Sequence, residues 1–261
     1  MDYLNRVSDK YLQLLLEAMG AVLIEGPKWC GKTTTAEQYT QSSVKLQDPD
    51  MREEYAAAVA TRPSLLLQGE TPRLIDEWQD FPTLWDAVRV MVDKRNLPGQ
   101  FILTGSNSID WEKVMHSGTG RIARMNMLPM SLWESRESNG EISLMQLFDN
   151  PQMDVEAVSN LSLEDLIYAA CRGGWPSAVK ESNRKTALVV ASQYVKSVCD
   201  RDVSHVDDTP RNLNLTRQIL RSYARNISTL AKTTVLLQDV VASDKFECSR
   251  PTFDDYVTAT S

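Results

Sequence analysis

Apolar residues follow two rhythms along this chain. Short unbroken runs, Ala21-Val22-Leu23-Ile24, Leu74-Ile75 and Phe101-Ile102-Leu103-Thr104, read as strands buried on both faces, with Val44-Lys45-Leu46 and Arg124 to Leu128 as further candidates. Between them the spacing becomes helical. Residues 7–19 put Val7, Tyr11, Leu14, Leu15 and Met19 on one face, and Leu84, Trp85, Val88, Met91 and Val92 recur at 3.6-residue spacing after Pro82, which suits a first helical turn. Asp48 and Asp50 around Pro49 are placed to cap a helix over 51–60, which Pro63 ends. Strands alternating with helices predict an α/β fold, a parallel sheet in three layers.

From about residue 135 the texture changes. Glu134 to Ser143 is polar and reads as loop; beyond it come helical patterns over Leu163–Cys171, Lys185–Cys199 and Leu215–Leu230. The expected division is a core over 1–155 and a helical segment over 156–261. No internal repeat or low-complexity tract interrupts either part.

The chemistry begins where the first strand ends. Gly26-Pro27-Lys28-Trp29-Cys30-Gly31-Lys32-Thr33 fits G-x-x-x-x-G-K-[ST] without departure, and Thr34 follows it into a helix-compatible stretch. Phosphates need inward-pointing N–H groups, close backbone approach and the positive end of a helix, and a Gly-rich loop between strand and helix supplies all three. Lys32 is expected to reach the β- and γ-phosphates of ATP and the Thr33 hydroxyl to bind Mg²⁺.

A second acidic feature, Arg73-Leu74-Ile75-Asp76-Glu77, ends a strand with adjacent carboxylates. Side chains alternate along a strand, so the two take different jobs: Asp76 orients Mg²⁺ and Glu77 activates water as general base. Thr104 or Ser106, at the fourth strand's end before Asn107, is expected to touch the γ-phosphate or the water. Arg121, behind Gly118-Thr119-Gly120, is a candidate arginine finger, with Arg124 next in line. No N-K-x-D sequence reads guanine, which favours ATP over GTP.

Composition narrows the class. The net charge is −7, unevenly spread: residues 1–160 hold 15 Lys/Arg against 23 Asp/Glu, and residues 161–261 hold 13 against 12. That balance argues against a chain coating nucleic acid, although Arg217, Arg221 and Arg225 share a helix face that could engage DNA phosphates. Cys30, Cys171, Cys199 and Cys248 lie far apart, and the two histidines are His116 and His205, so neither a disulfide framework nor a zinc site is predicted. Gln13 and Glu17 interrupt the first apolar stretch, and 18 consecutive apolar residues occur nowhere. The expected protein has no membrane span or signal peptide and is cytoplasmic.

Taken together, Val22 to Pro27 running into Gly31-Lys32-Thr33-Thr34, Pro72 to Gln79, Gln100 to Ser106, Ser117-Gly118 through Gly120-Arg121 to Pro129-Met130-Ser131-Leu132, Arg172-Gly173-Gly174-Trp175-Pro176, Tyr223-Ala224-Arg225-Asn226 and Ser249-Arg250-Pro251-Thr252 resemble a bacterial and archaeal family of AAA-type ATPases with a C-terminal domain termed DUF4143. The resemblance implies an AAA-like P-loop NTPase core followed by a helical, winged-helix-like segment. It also implies a continuation into a nuclease-like region. Because the chain ends at Ser261, it looks truncated and is expected to lack that chemistry.

Two functions stay open on the sequence. One is an ATPase whose turnover drives a conformational change in a partner or a homo-oligomer. The other is a DNA-binding module that ATP switches. No feature calls for the acceptor site of a small-molecule kinase.

Overall fold

The computed structural model describes residues 3–106, 116–203, 209–244 and 248–260; Asn107 and His205 lie outside them. By contacts the chain divides into two units, 1–187 and 188–261.

In the first unit, β1 (Ala21–Glu25), β2 (Ser42–Lys45), β3 (Arg73–Asp76), β4 (Phe101–Gly105) and β5 (Ile122–Asn126) form one parallel sheet in the order β2-β3-β4-β1-β5. β1 lies between β4 and β5, with Ala21 beside Phe101 and Ile122 and Glu25 beside Gly105 and Asn126. Successive side chains divide between the faces. Ala21, Leu23, Ile75, Phe101 and Leu103 pack with Trp78, Leu84, Trp85 and Val88 on one side; Val22, Ile24, Leu74, Ile102 and Met125 pack with Leu12 and Ala36 on the other. Helices α1 (Asp9–Ala18) and α2 (Lys32–Glu37) supply the second layer, and α3 (Arg52–Thr61) and α4 (Thr83–Arg95) lie with the first. This is the predicted three-layer α/β sheet. Each fully buried Leu or Ile contributes about 1.5–3 kcal/mol, so the unbroken apolar strands drive assembly.

Arg73 interrupts an apolar strand for a visible reason. Its guanidinium donates to the Leu66 carbonyl at 2.9 Å and to Ser42 Oγ at 2.8 Å, tying β3 to β2 and to the turn after α3.

Several local expectations shift. In α1 the buried residue is Leu12, backed by Leu15 and Leu16, while Val7, Tyr11 and Leu14 face solvent. The periodicity was sound, but the i, i+4 pair Leu12/Leu16 meets the sheet, a face rotated from the expected one. Asp48 does not cap α3; its carboxylate accepts from the Asp50 N–H in a tight turn, and Met51 holds the cap position without a side-chain bond. β5 begins two residues earlier than the candidate strand, at Ile122.

After β5 come α5 (Leu144–Asp149), α6 (Leu163–Arg172) and α7 (Pro176–Val179), and α8 (Arg184–Ser197) runs across the division. The sequence division at 155/156 groups α6 and α7 with the C-terminal segment, whereas the contacts place them in the first unit. Three attachments account for this. Arg172 Nη1 bonds Glu137 Oε1 at 2.5 Å, the Met130 N–H donates to the Gly174 carbonyl at 2.7 Å, and Trp175 packs on the second apolar cluster. A Cβ on Gly174 would lie 2.1 Å from the Met130 oxygen, so only glycine permits that approach.

In the second unit, α9 (Leu213–Arg225), α10 (Thr233–Asp244) and α11 (Arg250–Thr260) enclose a core of Leu215, Ile219, Leu236, Val240, Phe253 and Tyr256. Asn212 caps α9 by accepting from the N–H groups of Asn214 and Leu215. That helix stops at Arg225, short of the expected Leu230. The Asn226 amide turns back onto the Ser222 carbonyl at 2.8 Å, a local bond that competes with further helix. Among the described residues no helix is long and apolar enough to cross a membrane.

Candidate nucleotide site

All five strands are parallel, so their carboxyl ends gather on one edge, and there the sequence places its polar residues. The loop from Gly26 to Gly31 leaves β1 and opens α2. Gly26 has φ 156°, and a Cβ there would meet the Met127 carbonyl oxygen at 2.1 Å; Gly31, at φ 104°, stands at the N-cap of α2. Between them Trp29 holds a left-handed φ of 64° and is 60% exposed. Pro27 is half-buried, and Lys28 and Thr34 are exposed. The loop thus turns its backbone toward the N-terminus of α2, as an anion requires.

Lys32 is nearly buried and folds back over the loop, its Nζ donating to the carbonyls of Gly26 at 2.9 Å and Pro27 at 3.0 Å. One turn of bonds then runs across the strand ends. Thr33 Oγ1 donates to Asp76 Oδ1 at 2.7 Å, Thr104 Oγ1 donates to the same oxygen at 2.6 Å, and the Glu77 N–H donates to Thr104 Oγ1 at 3.1 Å. The loop, the acidic pair and the end of β4 are therefore one connected group. Ser106 lies just beyond β4 and is largely buried.

Asp76 and Glu77 do diverge as the strand alternation requires. Asp76 ends β3 and faces Thr33, while Glu77 leaves the strand in a left-handed conformation, φ 56° and ψ 50°, into the turn Trp78–Asp80. Its carboxylate accepts from Gln79 Nε2 at 2.5 Å. Burial pushes the Glu77 carboxyl above the usual carboxylate range, opposed by the Gln79 bond and the Lys32 charge. A carboxylate whose pKa is raised is a stronger proton acceptor than an ordinary one.

Cys30 is wholly buried, with Sγ toward the Met127 carbonyl, and burial pushes its thiol up against the opposing charges of Lys32 and Arg6. The thiol is packing for the loop and is not presented to a ligand.

Two residues behind the loop carried no role in the sequence reading. Arg6, nearly buried, donates to the Cys30 carbonyl at 2.8 Å, to the Leu128 carbonyl at 2.7 Å and to Glu134 at 2.8 Å. Tyr3 bonds Thr35 in α2 at 3.0 Å. A cavity of about 380 Å³, lined by Tyr3, Leu4, Asn5, Trp133 and Arg136 among others, opens beside them. No periodicity marks a lone arginine ahead of a helix; the only signal was its isolation in an otherwise uncharged stretch, Tyr3 to Ser8.

Arg121 stands apart. It precedes β5, its carbonyl accepts from the Ala21 N–H, and its side chain pairs with Asp93 at 2.8 Å on the exposed amino edge of the sheet. The intervening strand, at about 3.3 Å per residue, puts it roughly 13 Å or more from the loop of its own chain. Arg124, on β5, lies over the Trp85 ring.

The arginine stripe is partly spoken for. Arg217 pairs with Asp200 at 3.6 Å and Arg225 with Asp239 at 2.6 Å; Arg221 is exposed.

Comparison with known proteins agrees with this geometry. Residues 19–135 match the family described as an AAA domain, and residues 163–259 match a domain of unknown function, DUF8612. The C-terminal match is thus to DUF8612 and not to the DUF4143 that the resemblance implied. Uncharacterized proteins of Mycobacterium tuberculosis and Mycobacterium bovis are each 24% identical over 196 residues, 75% of this chain. The matched stretch spans 38% of those relatives' length. A Walker-type ATPase of Pyrococcus abyssi superimposes with a TM-score of 0.56 at 13% identity, covering 99% of this chain and 89% of the other. Sheet order and these likenesses together show an α/β fold like that of P-loop NTPases, with residues 19–135 similar to an AAA domain.

Proposed function

We propose that the chain binds ATP with Mg²⁺ at the carboxyl edge of its sheet and hydrolyses it to drive a conformational change. The observation that carries this reading is the bonded group Thr33–Asp76–Thr104–Glu77 set against the phosphate loop.

The residues fit the ligands. Gly26 and Gly31 hold the backbone open for phosphate oxygens, and the N–H groups opening α2 point the same way. Lys32 exchanges its two carbonyl acceptors for the β- and γ-phosphates. Thr33 and Asp76, already in contact, would hold the magnesium ion through their side-chain oxygens. Mg²⁺, when bound, neutralises charge developing on the phosphate oxygens. Glu77 takes the proton of the attacking water, and Thr104 holds the Glu77 backbone and Asp76 in register.

The cavity between residues 3–5 and the segment after β5 is assigned to the base and ribose, because Arg6 and Tyr3 join it to the loop and to α2. Arg121 is assigned as a finger acting in trans between copies of a homo-oligomer, since its own site lies across the sheet. The near-neutral balance of residues 161–261, 13 Lys/Arg against 12 Asp/Glu, does not favour the DNA-switch reading.

Glu77→Gln tests the assignment. Nucleotide affinity should stay within about twofold and turnover should fall ~10²-fold or more, the usual worth of a positioned base. Phosphate release at the wild-type rate would remove Glu77 from the mechanism.

A further inference from the structure

Gln79 is held in a place and an orientation that packing alone does not require. It sits in the turn Trp78–Asp80, directly after Glu77, and that turn is pinned from below: the Trp78 side chain is fully buried and its ring lies 4.9 Å from that of Trp85, inclined at 38°. The backbone on either side of Trp78 therefore has little freedom. Glu77 and Gln79 emerge together, and the Gln79 Nε2 donates to Glu77 Oε2 at 2.5 Å.

This contact fixes which way the amide faces. A carboxylate only accepts, so the nitrogen must point at Glu77 and Oε1 must point away. Oε1 is buried, and among the described residues it accepts a hydrogen bond from none. A buried acceptor left without a donor costs about 1–3 kcal/mol, and where a protein keeps one, a ligand or water normally fills it. The candidates at this site are few. A nucleotide's phosphates carry acceptors, which an amide oxygen repels. Water carries two O–H donors.

Resting on the ATPase reading above, we infer that Gln79 and Glu77 together hold the attacking water, one O–H on Gln79 Oε1 and the other on the Glu77 carboxylate. With both hydrogens engaged, the water's lone pairs are turned away from the two acceptors. Hydrolysis then balances simply: the water oxygen bonds the γ-phosphorus, its proton passes to Glu77, and the bond to the bridging oxygen breaks with the electron pair leaving on ADP. Gln79 gives up no proton. It orients the water, and through Nε2 it keeps the base turned toward it.

The test uses the full chain and Gln79→Met, which keeps the length and bulk of the side chain but neither hydrogen-bonding group. Single-turnover phosphate release should fall about 100-fold, the scale of an angstrom's misplacement of a reacting group, with ATP affinity by Trp29 fluorescence within about twofold. Glu77→Gln combined with Gln79→Met should be no slower than Glu77→Gln alone, because both changes dismantle the same water site. Gln79→Asn, which retains the amide on a shorter arm, should lose turnover likewise and covers the case in which methionine disturbs the turn. Wild-type release from Gln79→Met while Glu77→Gln is inactive overturns this inference and leaves the ATPase standing. Losses in affinity that match the losses in rate make Gln79 a structural prop and overturn it too. A wild-type chain that binds ATP and releases no phosphate overturns the ATPase reading itself.

Discussion

The two edges of one sheet behave differently. At the carboxyl edge, Thr33, Asp76, Thr104, Glu77 and Gln79 are joined by bonds of 2.5–3.1 Å, Lys32 is held by the Gly26 and Pro27 carbonyls, and the principal groups are buried or half-buried. At the amino edge, Arg121 makes an exposed pair with Asp93. A buried network fixes its members' positions because each broken bond strands a polar group, whereas an exposed ion pair is worth about 0–1 kcal/mol and lets go easily. One edge is built to hold, the other to release. A group that must leave its resting partner to serve a neighbouring copy belongs on the second.

The largest effect tests that contrast directly. If Arg121 completes the site of a second copy, specific activity should rise with protein concentration, and Arg121→Ala should remove the rise and cost about 10³-fold in turnover with ATP affinity nearly intact. Mixing Arg121→Ala with Lys32→Ala should recover part of the activity, since each mutant lacks only one half of a shared site. Concentration-independent turnover that survives Arg121→Ala would leave the residue a surface arginine and the amino edge without a role.

Lys32→Ala probes the buried edge. It removes the cation nearest the terminal phosphates, a charge-assisted contact worth about 1.5–3 kcal/mol, so ATP should bind roughly ten- to a hundredfold more weakly. Trp29, exposed within the loop, provides the fluorescence signal. Superimposable titrations of mutant and wild type would place the nucleotide elsewhere.

The same contrast explains what the sequence made legible. The loop, the acidic pair and Thr104 were readable because each lies at the end of a short apolar strand, and parallel strands bring such ends together whatever their separation in the chain. Arg121 was singled out in the sequence by its Gly-Thr-Gly lead, but its edge of the sheet was not legible: that depends on β5 starting at Ile122, two residues before the candidate strand. The face of α1 was missed because residues 11–16 hold apolar side chains on several sides of the helix, and only the sheet decides that Leu12 goes inward. Gln79 and Arg6 acquire meaning from one hydrogen bond or three, and no periodicity encodes a side chain reaching a carbonyl 24 or 122 residues away. The attachment of α6 and α7 to the first unit escaped for the same reason. It rests on Arg172 and Glu137, 35 residues apart, and on the Gly174 backbone.

The smallest effect concerns the support behind the buried edge. Glu134 accepts from Arg6 Nε at 2.8 Å, from the N–H groups of Val7 and Ser131 at 2.8 and 2.7 Å, and from Ser131 Oγ at 2.9 Å. Burial alone would raise its pKa, but the backbone N–H groups of Ser131 and Val7, the Arg6 guanidinium and the Ser131 hydroxyl together hold the carboxyl below the usual range. A folded-state pKa below the unfolded value contributes stability that is present above about pH 4.3, the unfolded glutamate value, and is lost as pH falls through the folded one. Glu134→Gln keeps an oxygen for Arg6 and removes the charge. The difference between a charged and a neutral acceptor is about 1 kcal/mol, so thermal denaturation at pH 7 should show a mutant less stable by roughly that amount. As pH falls through the lowered folded-state pKa the two proteins should converge, because acid protonates the wild-type carboxyl and leaves the amide unchanged. A stability gap that persists unchanged down to the acid unfolding limit would mean that Glu134 supports the loop by shape and not by charge. In that case Arg6 would be held over the Cys30 carbonyl by its other two bonds, and the buried edge would depend on its own network alone.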